Sequence, residues 1–208
     1  MKENNKPIFP SLVPGSEEEN LKKQEAYYEQ ALDGFVFFLE QTGSDFHAIK
    51  ASSVGSKQEL WANALENIFN IAHARWDPEH AYLIAETDPE QFSSAEILHP
   101  FVHEYFKGVF GEEYMILPYS TEYVIITPMM DPDEILEGYR EDLEENPEEH
   151  PLSNNIYLVE DGVMTVYSDT QDEDFIPIVL EDPEEKEKKL KRKQRRKQNG
   201  RQQIHYLM

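Results

Sequence analysis

Two histidines, His99 and His103, stand four residues apart in the segment HPFVH. That spacing puts two imidazoles on one face of a helix, where they can share a Zn²⁺ ion. Glu104 lies beside them, and His73 and His80 are further imidazoles that a fold could bring near. The segment lacks the glutamate that serves as general base in HExxH, and Pro100 disturbs the turn between the two ligands. Metal-assisted hydrolysis by His99, His103 and a nearby acid is therefore one function class, set against the plainer reading of two histidines on a helix surface.

Carboxylates are too abundant to single out a catalytic pair. Asp131–His150 alone holds ten acids, among them Glu137, Glu141, Asp142, Glu144 and Glu145. A dyad needs two specific carboxyls whose pKa values are pushed apart, so a solvated acidic helix able to meet a basic partner is the expectation here. Asp169, Asp172, Glu173 and Asp174 offer oxygen ligands for Ca²⁺ or Mg²⁺, but without the spacing and central glycine of an EF-hand they read as a loop. Neither a GxSxG elbow nor the GxGxxG and GxxxxGK[ST] phosphate cradles occur. Tyr114, Tyr119 and Tyr123 are candidates for a base-stacking platform. In so acidic a neighbourhood they read instead as core and edge tyrosines. No cofactor is expected.

Charge is sorted along the chain. The 208 residues carry 19 Lys+Arg and 42 Asp+Glu. Residues 184–208 hold ten of the bases and three of the acids, a net of +7, which leaves residues 1–183 with nine bases, 39 acids and a net of −30. A body so acidic repels phosphate backbones and repels itself. The tail is a compact polycation with no apolar face beyond Leu190, suited to RNA, the ribosome, or the acidic body itself. The candidate nucleic-acid contacts are Lys188, Lys189, Lys191, Arg192, Lys193, Arg195, Arg196 and Lys197, with Ile204, Tyr206 and Leu207 as a small apolar anchor. No apolar run reaches the roughly 20 residues that span a bilayer, the start lacks the apolar stretch of a signal peptide, and no cysteine is present. A cytoplasmic protein without a membrane partner is the expectation.

The elements that must position these residues follow from periodicity and caps. Residues 1–15, with three prolines, read as an irregular arm. Ser16–Glu19 is a capping box, and Leu21, Tyr28, Leu32, Phe35 and Leu39 suit a helix to about Glu40; the alternative ends the helix near Asp33 and makes Phe35–Leu39 a strand. Phe46–Ala51 reads as a strand, and Ser56–Glu59 caps an amphipathic helix through Trp61, Leu65 and Ile68. Ala81–Ala85 reads as a strand, and Ser93–Glu96 caps a helix from Ile97 to Phe110 that Pro100 either kinks or truly begins. Tyr114–Leu117 and Tyr123–Thr127 form an antiparallel pair. Asp131-Pro132 opens a helix to about Glu145. Asp161-Gly162 turns a hairpin in which Tyr157 faces Val166 and Val159 faces Met164. A last strand fits Phe175–Leu180. The order implies an α+β fold: a small, mainly antiparallel sheet packed by three or four helices, within a domain of residues 16–183 and followed by the basic tail 184–208.

The stretches ELWANALENI, SSAEILHPFVHEYFKGVFG, EEYMILPYSTEYVIITPM and PLSNNIYLVEDGVMTVY, taken in that order, resemble the YtpQ-like family of small bacterial cytoplasmic proteins of unknown function. The resemblance covers residues 60–168, about half the chain. The first 45 residues differ from that family's front half, and the basic tail is longer than its usual ending. It brings no catalytic residues to carry over. Two function classes remain. One is a non-enzymatic interaction module whose acidic domain binds a basic protein partner, in its sharper form by mimicking nucleic-acid charge to block a nuclease or toxin. The other is the His99/His103 hydrolase.

Overall fold

The computed structural model describes residues 6–77, 82–87, 90–121, 123–146, 151–169 and 175–180, with side chains described outside 69–93. The basic tail, Asp172, Glu173, Asp174, and the side chains of His73 and His80 lie outside the described residues. The fold is α+β and mainly antiparallel, but its strands build two sheets where the sequence reading expects one.

The first sheet contains β1 (Ile8–Pro14), β2 (Tyr28–Ala31), β3 (Gly34–Thr42) and β4 (Asp45–Ala48), with β1 and β2 on either side of β3 and β4 pairing with the end of β3. The irregular arm is thus corrected. Ile8–Pro14 pairs along its whole length with β3, from Ile8 opposite Glu40 to Pro14 opposite Gly34. Its prolines argue against a strand, yet β1 is an edge strand, the one place in a sheet that accepts proline. Residues Phe9–Leu12 are all buried, because both faces of this edge are covered.

The long helix to Glu40 is also corrected. Only α1 (Glu18–Lys23) forms, Ser16 makes no capping bond, and Glu25 leaves the helix with φ 55°. The strand alternative for Phe35–Leu39 is the one realised, inside β3. Gly34 lets β3 approach β1 closely, since a Cβ on it would lie 2.4 Å from the Val13 carbonyl oxygen.

α2 (Lys57–Ile71) starts as its capping box implies, with Ser56 Oγ accepting from the Glu59 amide at 3.3 Å. Leu60, Ala64 and Ile68 turn inward at four-residue spacing, and Trp61 meets Phe38 edge-on at 5.0 Å. β5 (Ala72–Asp77) follows at once and pairs with β6 (Tyr82–Thr87). A 3-10 segment, Glu90–Leu98, precedes α3 (Pro100–Phe110), so Pro100 opens the helix rather than kinking it. β7 (Glu113–Leu117), β8 (Ile125–Pro128), α4 (Pro132–Glu145), β9 (Ile156–Glu160), β10 (Val163–Tyr167) and β11 (Ile178–Val179) complete the chain.

The second sheet runs β11-β10-β9-β7-β8-β6-β5 with every neighbouring pair antiparallel. The β9–β10 register is the one that the Asp161-Gly162 turn implies, and both turn residues take positive φ as a type I′ turn requires. Alternation along its strands serves two cores. Tyr114, Ile116, Tyr157, Val159 and Met164 face a main core shared with α2, α3 and the first sheet. Met115, Leu117, Ile156 and Leu158 face the other way, under Leu136 and Tyr139 of α4. One continuous apolar core therefore joins both sheets, with α4 as an outer layer.

Gly34→Ala forces its new methyl against backbone, and overpacking of this kind costs about 1–3 kcal/mol. Urea denaturation should show a lower midpoint at unchanged slope.

Candidate functional site

α3 positions the two histidines that the sequence singles out, and it separates their roles. His99 is the helix N-cap, its Nδ1 accepting the Phe101 amide at 3.0 Å. Burial pushes its pKa down, in keeping with an imidazole used as an acceptor. His103, 1% exposed, lies in the core with Nδ1 at 3.0 Å from the Tyr114 hydroxyl. Burial likewise holds the Tyr114 phenol protonated, above its ordinary pKa. Each imidazole thus spends a nitrogen on the protein. Among the described residues no group of three or more His, Asp or Glu side chains is arranged to hold a metal ion.

The three tyrosines do not form one platform. Tyr114 points into the main core, whereas Tyr119 and Tyr123 stack on each other at 5.3 Å on the opposite side of the sheet, with Tyr139 edge-on to Tyr119. Asp169 is committed as well: Arg140 reaches both its oxygens at 2.9 Å and also donates to the Asn154 carbonyl and Asn155 Oδ1. That guanidinium holds the Asp169 carboxyl below its usual range.

α4 carries the acidic residues. Asp131 caps it, Oδ1 accepting the Asp133 amide at 3.1 Å, and Pro132 fits the first turn where no amide is needed. Leu136 and Tyr139 pack inward, leaving Glu134, Glu137, Glu141, Glu144 and Glu145 exposed in a row with spacings of three and four. Like charges at those spacings repel, and carboxylates in the last turn oppose the negative end of the helix dipole. The last turn has no basic residue, and none of these five glutamates makes an ion pair among the described residues. Asp142 differs, accepting from the Asn146 amide group at 3.1 Å. Arg140, on the same helix, is turned away toward Asp169.

Two features escape sequence reasoning. The first is a polar joint between the sheets. Asp33, at the β2–β3 turn, accepts from Ser153 Oγ, from Asn155 Nδ2 at 3.1 Å and from the Tyr157 hydroxyl at 3.0 Å. Its neighbour Leu32 takes φ 55° and exchanges backbone bonds with Ile176 at 2.8 and 3.3 Å. Burial first, and then the Asp33 charge, raise the Tyr157 phenol well above its ordinary pKa. The partners lie about 120 residues apart, so no local pattern announces them. The second is an apolar stripe on the outer face of α3, where Phe101, Tyr105 and Val109 are 57%, 46% and 44% exposed.

A groove of about 560 Å³ runs between the start of β1 and α2, lined by Lys6, Glu40, Glu59, Asn63 and Asn67 among others, with no histidine among its described lining residues. The nucleic-acid candidates Lys188, Lys189, Lys191, Arg192, Lys193, Arg195, Arg196 and Lys197 lie outside the described residues. No helix among the described residues is long and apolar enough to cross a membrane. No family model, curated protein or solved structure matches the chain.

Asp33→Ala leaves three donors without their shared acceptor and should cost about 3 kcal/mol, against about 1 kcal/mol for Tyr157→Phe. The joint is also sensitive to alkali. The unfolded state releases a phenolic proton near pH ~10 while native Tyr157 keeps it, so this stability is present below that pH and lost above it. Denaturation midpoints between pH 8 and ~11.5 should fall more gently in Tyr157→Phe than in the parent. For His99 the sign reverses, because its pKa is lowered on folding. Its contribution is present above the unfolded value of about 6.5 and lost as pH falls. The protection factor of the Phe101 amide, with the intrinsic pH dependence of exchange divided out, should fall as pH drops below that value, and His99→Asn, which caps without titrating, should abolish the fall.

Proposed function

We propose that this chain is a non-enzymatic binding protein whose α4 face docks a basic protein surface. The observation that supports this reading is the row Glu137, Glu141, Glu144 and Glu145, exposed, mutually repelling and set against the helix dipole, with no cation offered to it by the described residues. Such an arrangement lowers the stability of the free protein. A cationic partner recovers that cost on binding, and the surrounding negative potential speeds encounter. The basic tail then supplies a second contact, to nucleic acid or to the body. A cytoplasmic site of action and kinship with YtpQ-like proteins through residues 60–168 belong to the same proposal, the latter supported by the four motif stretches in order.

The test replaces Glu137, Glu141, Glu144 and Glu145 together by Gln. Relief of repulsion is worth about 1–2 kcal/mol, so Tm should rise by roughly 2–6 °C. Binding of a deca-arginine peptide, followed by calorimetry across a salt series, should weaken at least tenfold and lose most of its salt dependence. A variant that binds the peptide as tightly as the parent removes α4 as the docking face.

A further inference from the structure

The stripe Phe101, Tyr105 and Val109 repeats every four residues along α3, the helix face opposite buried His103 and Phe106. Phe101, Tyr105 and Val109 at these exposures offer roughly 300 Å² along a helix about 16 Å long, well below the ~800 Å² per partner of a standard interface. It is too small to hold a second copy of a body carrying a net of −30, which repels its like. A tethered segment is a different case, because the tether replaces bulk concentration by an effective concentration on the order of millimolar.

The chain provides such a segment at this place. Leu180, the last described residue, donates its amide to the Gly162 carbonyl at 2.9 Å, and in the same turn Asp161 donates to the Glu112 carbonyl at 3.3 Å. Glu112 lies two residues beyond the end of α3, so Leu180, the last described residue before the basic tail, stands beside that end. The surroundings there are anionic. Glu113 stands directly opposite Glu160 in the β7–β9 register, both exposed and neither in an ion pair among the described residues. Like charges placed opposite each other across strands are destabilising. In the last turn of α3 Lys107 meets the negative end of the dipole and pairs with Glu112 at 2.8 Å, so Glu113 and Glu160 are the charges there without a cation among the described residues. Glu104 adds a further exposed charge beside the stripe.

The geometry points to an intramolecular docking in which the tail folds back along α3: its basic stretch covers the Glu113/Glu160 end, and Ile204, Tyr206 and Leu207 cover Phe101, Tyr105 and Val109. The 28 residues after Leu180 reach up to roughly 90 Å when extended, ample for a helix of about 16 Å. This inference rests on the tail-to-body contact of the proposed function and names its place; it is separate from the α4 docking reading, which concerns another helix and is tested by the peptide titration.

The chain contains no cysteine, so Met208→Cys gives one position for a nitroxide in the full-length protein. The expected result at low protein concentration is selective broadening of the amides of Phe101, Tyr105 and Val109, with at least a threefold loss of intensity. The same label combined with Tyr206→Asp and Leu207→Asp should restore those signals, with the remaining amide shifts of the body unchanged. A mixture of spin-labelled unlabelled-isotope protein with isotope-labelled protein lacking the nitroxide should show no broadening. The proposal is overturned by broadening spread evenly over the acidic surface, by broadening confined to α4, by none at all, or by broadening that appears in the mixture.

Discussion

An acidic globule has to hold together against its own charge. With 39 acids and nine bases in residues 1–183, repulsion acts on every surface of this molecule, and at physiological ionic strength it is screened only beyond about 8 Å. At Asp33 and Glu29, two carboxylates that meet the interior, the fold answers with local donors. Asp33 receives Ser153, Asn155 and Tyr157, so that a charge becomes the fastening between two sheets. At Glu29 burial opposes ionisation, but Lys57, the Tyr27 hydroxyl at 2.7 Å and the Trp61 indole at 3.1 Å outweigh it and hold the carboxyl low, fixing α2 to the first sheet. Tyr27 is itself pushed up to about 12, first by burial and then by Glu29. At Asp33 neutral donors alone supply the compensation, and at Glu29 they add to that of Lys57.

The same economy explains what is left over. Once Arg140 is committed to Asp169, α4 has no cation of its own for its outer row, and Glu113 and Glu160 face each other with no ion pair among the described residues. These are the places where an added positive charge gains most. One lies on the outer layer, open to a basic partner. The other lies beside Leu180, the last described residue before the polycation in the sequence. The apolar cores underneath are continuous and well covered, so both faces can change occupant without disturbing the fold.

Much of this was legible where a local signal decides. Ser56, Asp131-Pro132 and Asp161-Gly162 each dictate a cap or turn by short-range chemistry, and α2, α4 and the β9–β10 register follow them. The acidic row on α4 is visible in the same way, from composition and helical spacing. The first 40 residues misled for physical reasons. Pro10 argues against a strand until an edge position makes it harmless, and Leu21, Tyr28, Leu32, Phe35 and Leu39 satisfy a helical period by coincidence while belonging to α1, β2, a turn and β3. On α3 both faces are apolar, so periodicity could not tell whether His103 and Phe106 or Phe101 and Tyr105 turn outward. Asp33 joins groups remote in sequence, and only the assembled sheets bring them together.

The central claim is that uncompensated negative charge limits the stability of this body and makes its acidic faces receptive. Urea denaturation of the full chain at 20 mM and 300 mM NaCl, with amide exchange followed along α4, tests it most directly. Screening should raise the midpoint and slow exchange more in α4 than in α2. A midpoint that falls with salt or stays unchanged would contradict the account.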